Sequence, residues 1–195
     1  PSHPMLDLLI THATLPDGRQ NMSIAVQNGR ITEVTEGLQA PAHETVDAGG
    51  LLVSPPFVDA HFHMDSTLSY GQPRVNESGT LLEGIALWGE LKPQLTHDDI
   101  VQRALQYCDW AVARGLLAIR SHVDTSDPSL LPVQALLDVK QRVAPYLDLQ
   151  LVAFPQDGVL RAPGGLANLK RALDMGVDVV GGIPHFERTY ADGTE

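Results

Sequence analysis

From Leu51 onward the chain alternates short apolar runs with longer stretches in which apolar residues recur every three to four positions. The runs are Leu51 to Val58, Leu116 to His122, Asp148 to Phe154 and Val177 to Ile183. Each is short and rich in aliphatic residues, as a strand buried on both faces is. Between them, Thr80 to Leu91, Thr96 to Gly115, Ser129 to Val143 and Leu166 to Met175 have helical period. Thr96, with Asp99 three residues on, resembles a capping box, and Gly115 and Gly176 stand where helices stop. Pro132 fits a helix because it falls in the first turn. Apolar strands alternating with helices predict right-handed crossovers and a parallel sheet.

The segment before Leu51 has a different rhythm. Leu6 to Thr11, Asn21 to Gln27, Arg30 to Thr35 and Glu44 to Asp47 read as short strands, with Asn28-Gly29 as a two-residue hairpin turn between the second and third. Strands this short make a small sheet that needs a partner to pack on.

Polar residues gather where the later strands end. The first gives His61, His63 and Asp65; the second gives Arg120, His122 and Asp124; the third gives Gln156; the fourth gives His185 and Glu187. Side chains two apart on a strand point the same way, so His61 and His63 could share a metal ion. With 8 histidines in 195 residues such a pair is close to a chance event. The convergence of further histidines at successive strand ends is what lifts it above chance, because the carboxyl ends of barrel strands form the active-site face. Neutral imidazoles suit zinc or iron(II), but two are not a complete site. Plainer roles stand beside these. His122 reads as a hydrogen-bonding group behind the ligands or as pocket lining, Asp124 as a turn or cap residue, and Asp65 as structural. His185 and Glu187 divide between pocket and scaffold. Gln156, a neutral amide with donors and an acceptor, suits the edge of a flat heterocycle.

Composition narrows the partners. A net charge of −11 argues against nucleic acid and anionic membranes, though not against an uncharged base. No apolar run is long enough to span a bilayer, and the N-terminus lacks the pattern of a signal peptide. A single cysteine, Cys108, excludes an internal disulfide and fits a reducing, cytoplasmic setting. It lies within a helix-period stretch and reads as buried and inert.

Together the segments Gly50 to Asp65, Gly71-Gln-Pro, Ser78 to Gly84, Leu95 to Asp99, His122-Val-Asp124, Val152 to Gly158 and Asp178 to Glu187 resemble the amidohydrolase superfamily, most closely its bacterial cytosine deaminase branch. The resemblance implies an α/β fold: a metal-dependent hydrolase (β/α)8 TIM barrel, its first half in residues 53–195, with a small β-sandwich segment in residues 1–52. It implies one divalent ion, Fe2+ or Zn2+, held in part by His61 and His63. Gln156 is then expected to bind the pyrimidine edge, Leu81 to offer main-chain contacts and Phe154 to wall the pocket. The resemblance also implies a homo-oligomer and hydrolytic deamination of a free base, cytosine to uracil plus ammonia.

The family's remaining ligands and its proton-shuttling glutamate come from later strands. No catalytic residue is therefore expected within this chain; the catalytic groups are expected beyond Glu195. The chain reads as the N-terminal half of an enzyme that needs its C-terminal barrel half. Isocytosine, creatinine or a triazine are alternative substrates on the same fold. An inactive fragment serving in binding or assembly is the alternative of another class.

Overall fold

The computed structural model describes residues 5–194. Glu195, the position beyond which the catalytic groups are expected, lies outside the described residues, as do residues 1–4. The described chain divides between Pro55 and Pro56 into two compact units.

The first unit is one four-stranded sheet of β1 (Leu6–Ala13), β2 (Met22–Gln27), β3 (Arg30–Glu36) and β4 (Ala42–Asp47), in the order β3-β2-β1-β4. β1 pairs antiparallel with β2 and parallel with β4. The hairpin falls where Asn28-Gly29 predicts it. Both residues have positive φ, 52° and 69°, the left-handed pair that a type I′ turn requires. Two small apolar clusters form here, one around Ala13, Met22 and Ile24 and one around Leu6, Leu9 and Ala25.

The second unit carries a parallel sheet in the order β5-β6-β7-β8: β5 (Phe57–Phe62), β6 (Leu116–Asp124), β7 (Asp148–Phe154) and β8 (Val179–Val180). The helices are α1 (Leu81–Leu91), α2 (His97–Val112), α3 (Leu131–Val143), α4 (Gly165–Asp174) and the short α5 (Tyr190–Thr194). α2 begins as its sequence predicts, with the Thr96 hydroxyl accepting the Asp99 N–H at 3.2 Å. Its buried residues Ile100, Val101, Ala104, Cys108 and Ala111 form one stripe. That stripe packs with Val133, Leu136, Val139 and Val143 of α3 against Ile119, Val123, Leu149, Leu151 and Ala153 of the sheet. Cys108 is buried in this core, and desolvation pushes its thiol up to about 11, away from nucleophilic use.

The opposite face of the sheet is polar. Ala118, Arg120, His122 and Asp124 of β6 alternate with the core residues, and their partners on β7 are Asp148, Gln150, Val152 and Phe154. One face of the sheet thus stabilises the unit and the other carries its chemistry.

Two strand expectations need correction. Leu51 to Val58 is not a buried strand: the strand starts at Phe57, and Leu51, Leu52, Phe57 and Val58 are all more than 60% exposed. Pro55 and Pro56 have no N–H to give a ladder, so regular pairing begins only after them. The fourth strand shrinks from Val177–Ile183 to Val179–Val180. Gly181-Gly182 and Pro184 end it, although Asp178 N–H still donates to Leu151 O and Gly181 N–H to Ala153 O.

Candidate metal centre

The site is built at the end of β5. There Asp59 pairs with Ile119, but the next pair is Phe62 with Ser121. Two residues, Ala60 and His61, therefore oppose the single residue Arg120, which is a β-bulge. Asp59 and Phe62 share the phase of the core residues Ile119 and Ser121, and Phe62 stacks on Tyr107 of α2 with centroids 4.2 Å apart. His61 is turned to the other face, where its ring stacks on His122 at 4.2 Å. His63, just past the strand, lies 5.4 Å from His61 and 5.3 Å from His122.

The turn after His63 is held rigidly. The Ser121 hydroxyl accepts the Met64 N–H at 2.9 Å, and Arg103 of α2 donates to the carbonyls of Asp65 and Thr67. The carboxylate of Asp65 accepts the Asp124 N–H at 2.9 Å, joining the ends of β5 and β6. Desolvation pushes Asp65 up to about 7, against the opposing pull of that N–H. It is a structural tie, as its sequence position suggests.

His61, His63 and His122 each bring one ring nitrogen within 4.8 Å of the others. Burial, then the nearby rings of His122 and His61, push His63 down to about 4. His122 is lowered too, by burial first and then by the ring of His61. Neutral imidazoles at neutral pH are the ligand form. The buried Nδ1 of His122 has no hydrogen-bond partner among the described residues. Three close imidazoles, one with an orphaned nitrogen, are costly unless something accepts their lone pairs. A divalent cation fits that donor set.

The cluster opens into a cleft of about 540 Å³. His61, His63, Asp65, Asp124, Phe154, Gln156 and His185 line it, with Leu81, Leu87 and Trp88 from α1. Phe154 stands edge-on to His63 and His122 at 5.5 and 5.3 Å. Gln156 follows two residues on, after Pro155, its N–H donating to the carbonyl of Phe154. Arg120 and Glu187 stand apart: Arg120 donates to the Gln150 side chain of β7 and does not line the cleft; for Glu187 the partner is a loop. The Glu187 carboxylate accepts the N–H groups of Val159, Leu160 and Arg161 and so fixes the loop after β7.

Sequence reasoning passes over the charged cluster behind the cleft. Asp124 is 4% exposed and accepts the indole N–H of Trp88 at 2.8 Å. Lys92 reaches both Asp124, at 3.3 Å, and Asp157, at 2.6 Å. The available signal is Trp88 and Lys92 four residues apart, hence on one side of a helical turn.

Parallel β/α units with imidazoles gathered at the carboxyl ends of the strands define a barrel-type site of the metal-dependent kind. The chain belongs to the Amidohydrolase family, whose model matches residues 44–192. It is 32% identical over 182 residues to N-isopropylammelide isopropyl amidohydrolase of Pseudomonas sp. (strain ADP), covering 91% of this chain and 45% of that protein. The structure of 5-methylcytosine deaminase from Klebsiella pneumoniae, liganded with phosphonocytosine, superposes with a TM-score of 0.89 at 44% identity. That match covers 95% of this chain and 46% of the deaminase. N-isopropylammelide isopropylaminohydrolase from Burkholderia multivorans ATCC 17616 matches at 0.74 and 29% identity, over 91% and 45% of the two chains. The chain thus spans less than half the length of these relatives, and β5 to β8 form the first half of the (β/α)8 barrel. No helix among the described residues is long and apolar enough to cross a membrane.

Proposed function

We propose that this chain contributes the metal-binding half of a hydrolase that deaminates a free cytosine-type base. The observation that carries this is that His61 and His63, with His122 beside them, line the same cleft as Gln156 and Phe154. The 44% identity to 5-methylcytosine deaminase supports the substrate class. The overall reaction replaces an exocyclic ring amine by oxygen, consuming water and releasing ammonia.

In this reading His61 and His63 hold a divalent ion, Fe2+ or Zn2+, and His122 lies against it. When bound, such an ion supplies a Lewis acid and a water of lowered pKa. The chain's own residues do the rest. Gln156 offers a donor and an acceptor to the ring edge, which orients a flat base without charge. Phe154 and Trp88 supply aromatic walls, and Leu81 stands at the mouth. Proton transfer falls to residues of the complementary barrel half, beyond Glu195. The 195-residue chain alone is therefore expected to bind metal weakly and to show no turnover.

A second reading keeps the chemistry and changes the substrate. The similarity to an N-isopropylammelide amidohydrolase favours a larger amino-substituted heterocycle.

The test is ammonia or amine release by the complete enzyme from cytosine, 5-methylcytosine, isocytosine, creatinine and N-isopropylammelide. Turnover of a cytosine is expected. Preference for N-isopropylammelide would support the second reading, and inertness toward all five would overturn both.

A further inference from the structure

Helix α1 contributes Leu81, Leu87 and Trp88 to the cleft, and the residues it buries are Leu87 and Leu91. Leu81 and Leu82 at its start are 76% and 74% exposed. Arg74 bonds Glu83 and Glu90, but that ties the helix only to its own preceding loop. Among the described residues, the side-chain hydrogen bonds that join α1 and the turn after it to the strand ends converge on two carboxylates. Trp88 Nε1 and Lys92 Nζ both donate to Oδ2 of Asp124, and Lys92 Nζ also donates to Oδ2 of Asp157.

Those carboxylates are themselves fixed. Asp124 N–H is held by Asp65, its Oδ1 accepts the Ser126 N–H at 2.7 Å, and the Ser126 hydroxyl accepts the Asp157 N–H at 2.9 Å. The anchor point is thus the same strand end that carries His122. A buried carboxylate with two donors from one helix and its following turn holds that helix at a defined distance and angle. Charge-assisted bonds in a poorly hydrated setting are the strong ones.

We propose that Lys92 is a positioning residue and Trp88 a specificity-determining one: the Lys92–Asp124–Asp157 cluster seats α1 so that the indole closes the cleft at a fixed distance from the histidine cluster. This rests on the reading of the cleft as a substrate pocket. Lys92 touches no reacting atom. Its ammonium balances Asp124, and the balanced Asp124 orients the indole. The size of heterocycle admitted then follows from where α1 is seated.

The experiment compares wild type, Lys92→Met, Lys92→Arg and Trp88→Phe in the complete enzyme. Trp88→Phe removes the indole N–H and leaves the ion cluster intact, so it serves even where Lys92→Met folds poorly. Two readouts are taken: hydrogen exchange of the amides of residues 81–91, and kcat and KM on cytosine and 5-methylcytosine. Faster exchange is expected in Lys92→Met and Trp88→Phe, with near wild-type exchange in Lys92→Arg. In the two loosened variants kcat/KM should fall about 100-fold through KM, as misplacement of a binding wall does, with metal content unchanged. The ratio between the two bases should change as well. Unchanged exchange in both Lys92→Met and Trp88→Phe, or an equal loss of kcat on both bases with KM constant, would overturn the proposal. Wild-type enzyme inert on every base, with α1 still loosened by Lys92→Met, would instead retain the anchor and remove the substrate reading.

Discussion

The ring of His122 stacks on that of His61 with centroids 4.2 Å apart, while its own buried Nδ1 has no partner among the described residues. His122 is thus packed directly against the candidate ligand His61. Replacing His61 or His63 with alanine is expected to abolish measurable metal binding by the complete enzyme. His122→Ala should weaken it by about 10- to 100-fold, the usual cost of losing an outer partner. Metal content of purified variants, with titration of the apoproteins, checks both. Full metal affinity in His122→Ala would assign that ring a packing role.

Asp65 gives a pH prediction. Its folded-state pKa of about 7 stands above the ordinary 3.8, because burial disfavours the carboxylate. Between those values the folded protein binds more protons than the unfolded chain, so the Asp65 contribution to stability falls as pH rises through that window. Asp65→Asn keeps an oxygen to accept the Asp124 N–H but carries no charge. Relative to wild type, the variant should therefore gain stability steadily as pH rises from about 4 to about 7. Melting curves recorded with chelator isolate this from metal binding, and a gain as pH falls instead would contradict the raised pKa.

Gln156 lines the cleft while its main chain is fixed by Phe154. Gln156→Leu keeps the volume and removes the donors and acceptor. A site built to hydrogen-bond its substrate loses heavily when that partner is gone, since the base's polar edge is left unmatched. The expected outcome is a kcat/KM lower by about 100-fold or more with a melting temperature near wild type. A variant with intact kinetics would show that Gln156 does not read the base.

Gly181 has no room for a side chain. A Cβ there would meet Val152 Cγ1 at 2.8 Å and the Ala153 carbonyl at 2.9 Å. Gly181→Ala should destabilise the protein by about 1–3 kcal/mol, the range for overpacking. Because β8 leads into Ile183 and His185 at the cleft, the variant should also lose activity at temperatures where it remains folded. Chemical denaturation and assays at matched temperature test the two effects.

Much of this is legible in the sequence because it is local. Asn28-Gly29 sets its hairpin by backbone preference alone, and the α2 stripe from Ile100 to Ala111 follows from helical period. The histidines, Phe154 and Gln156 meet because strand ends meet in a barrel. Other features depend on neighbours that no local pattern encodes. In the pattern, apolar Leu51 and Leu52 outweigh the missing donors of Pro55 and Pro56, which puts the start of β5 too early. The tie of Trp88 to Asp124 spans 36 residues. The approach of Gly181 to Ala153 spans a crossover.

The bulge opposite Arg120 makes the site a matter of counting. Starting from Asp59 on the core side, strict alternation would have sent His61 and His63 inward toward α2 and Phe62 out into the cleft. The one extra residue reverses that assignment and gives each ring its proper surroundings. Removing Ala60 would leave His61 alone opposite Arg120 on the cleft face and Phe62 still opposite Ser121 on the core face, so the strand would lose its bulge and keep its faces. The bulge thus lets β5 carry one residue more than β6 between Asp59 and the histidines while both imidazoles stay on the cleft side.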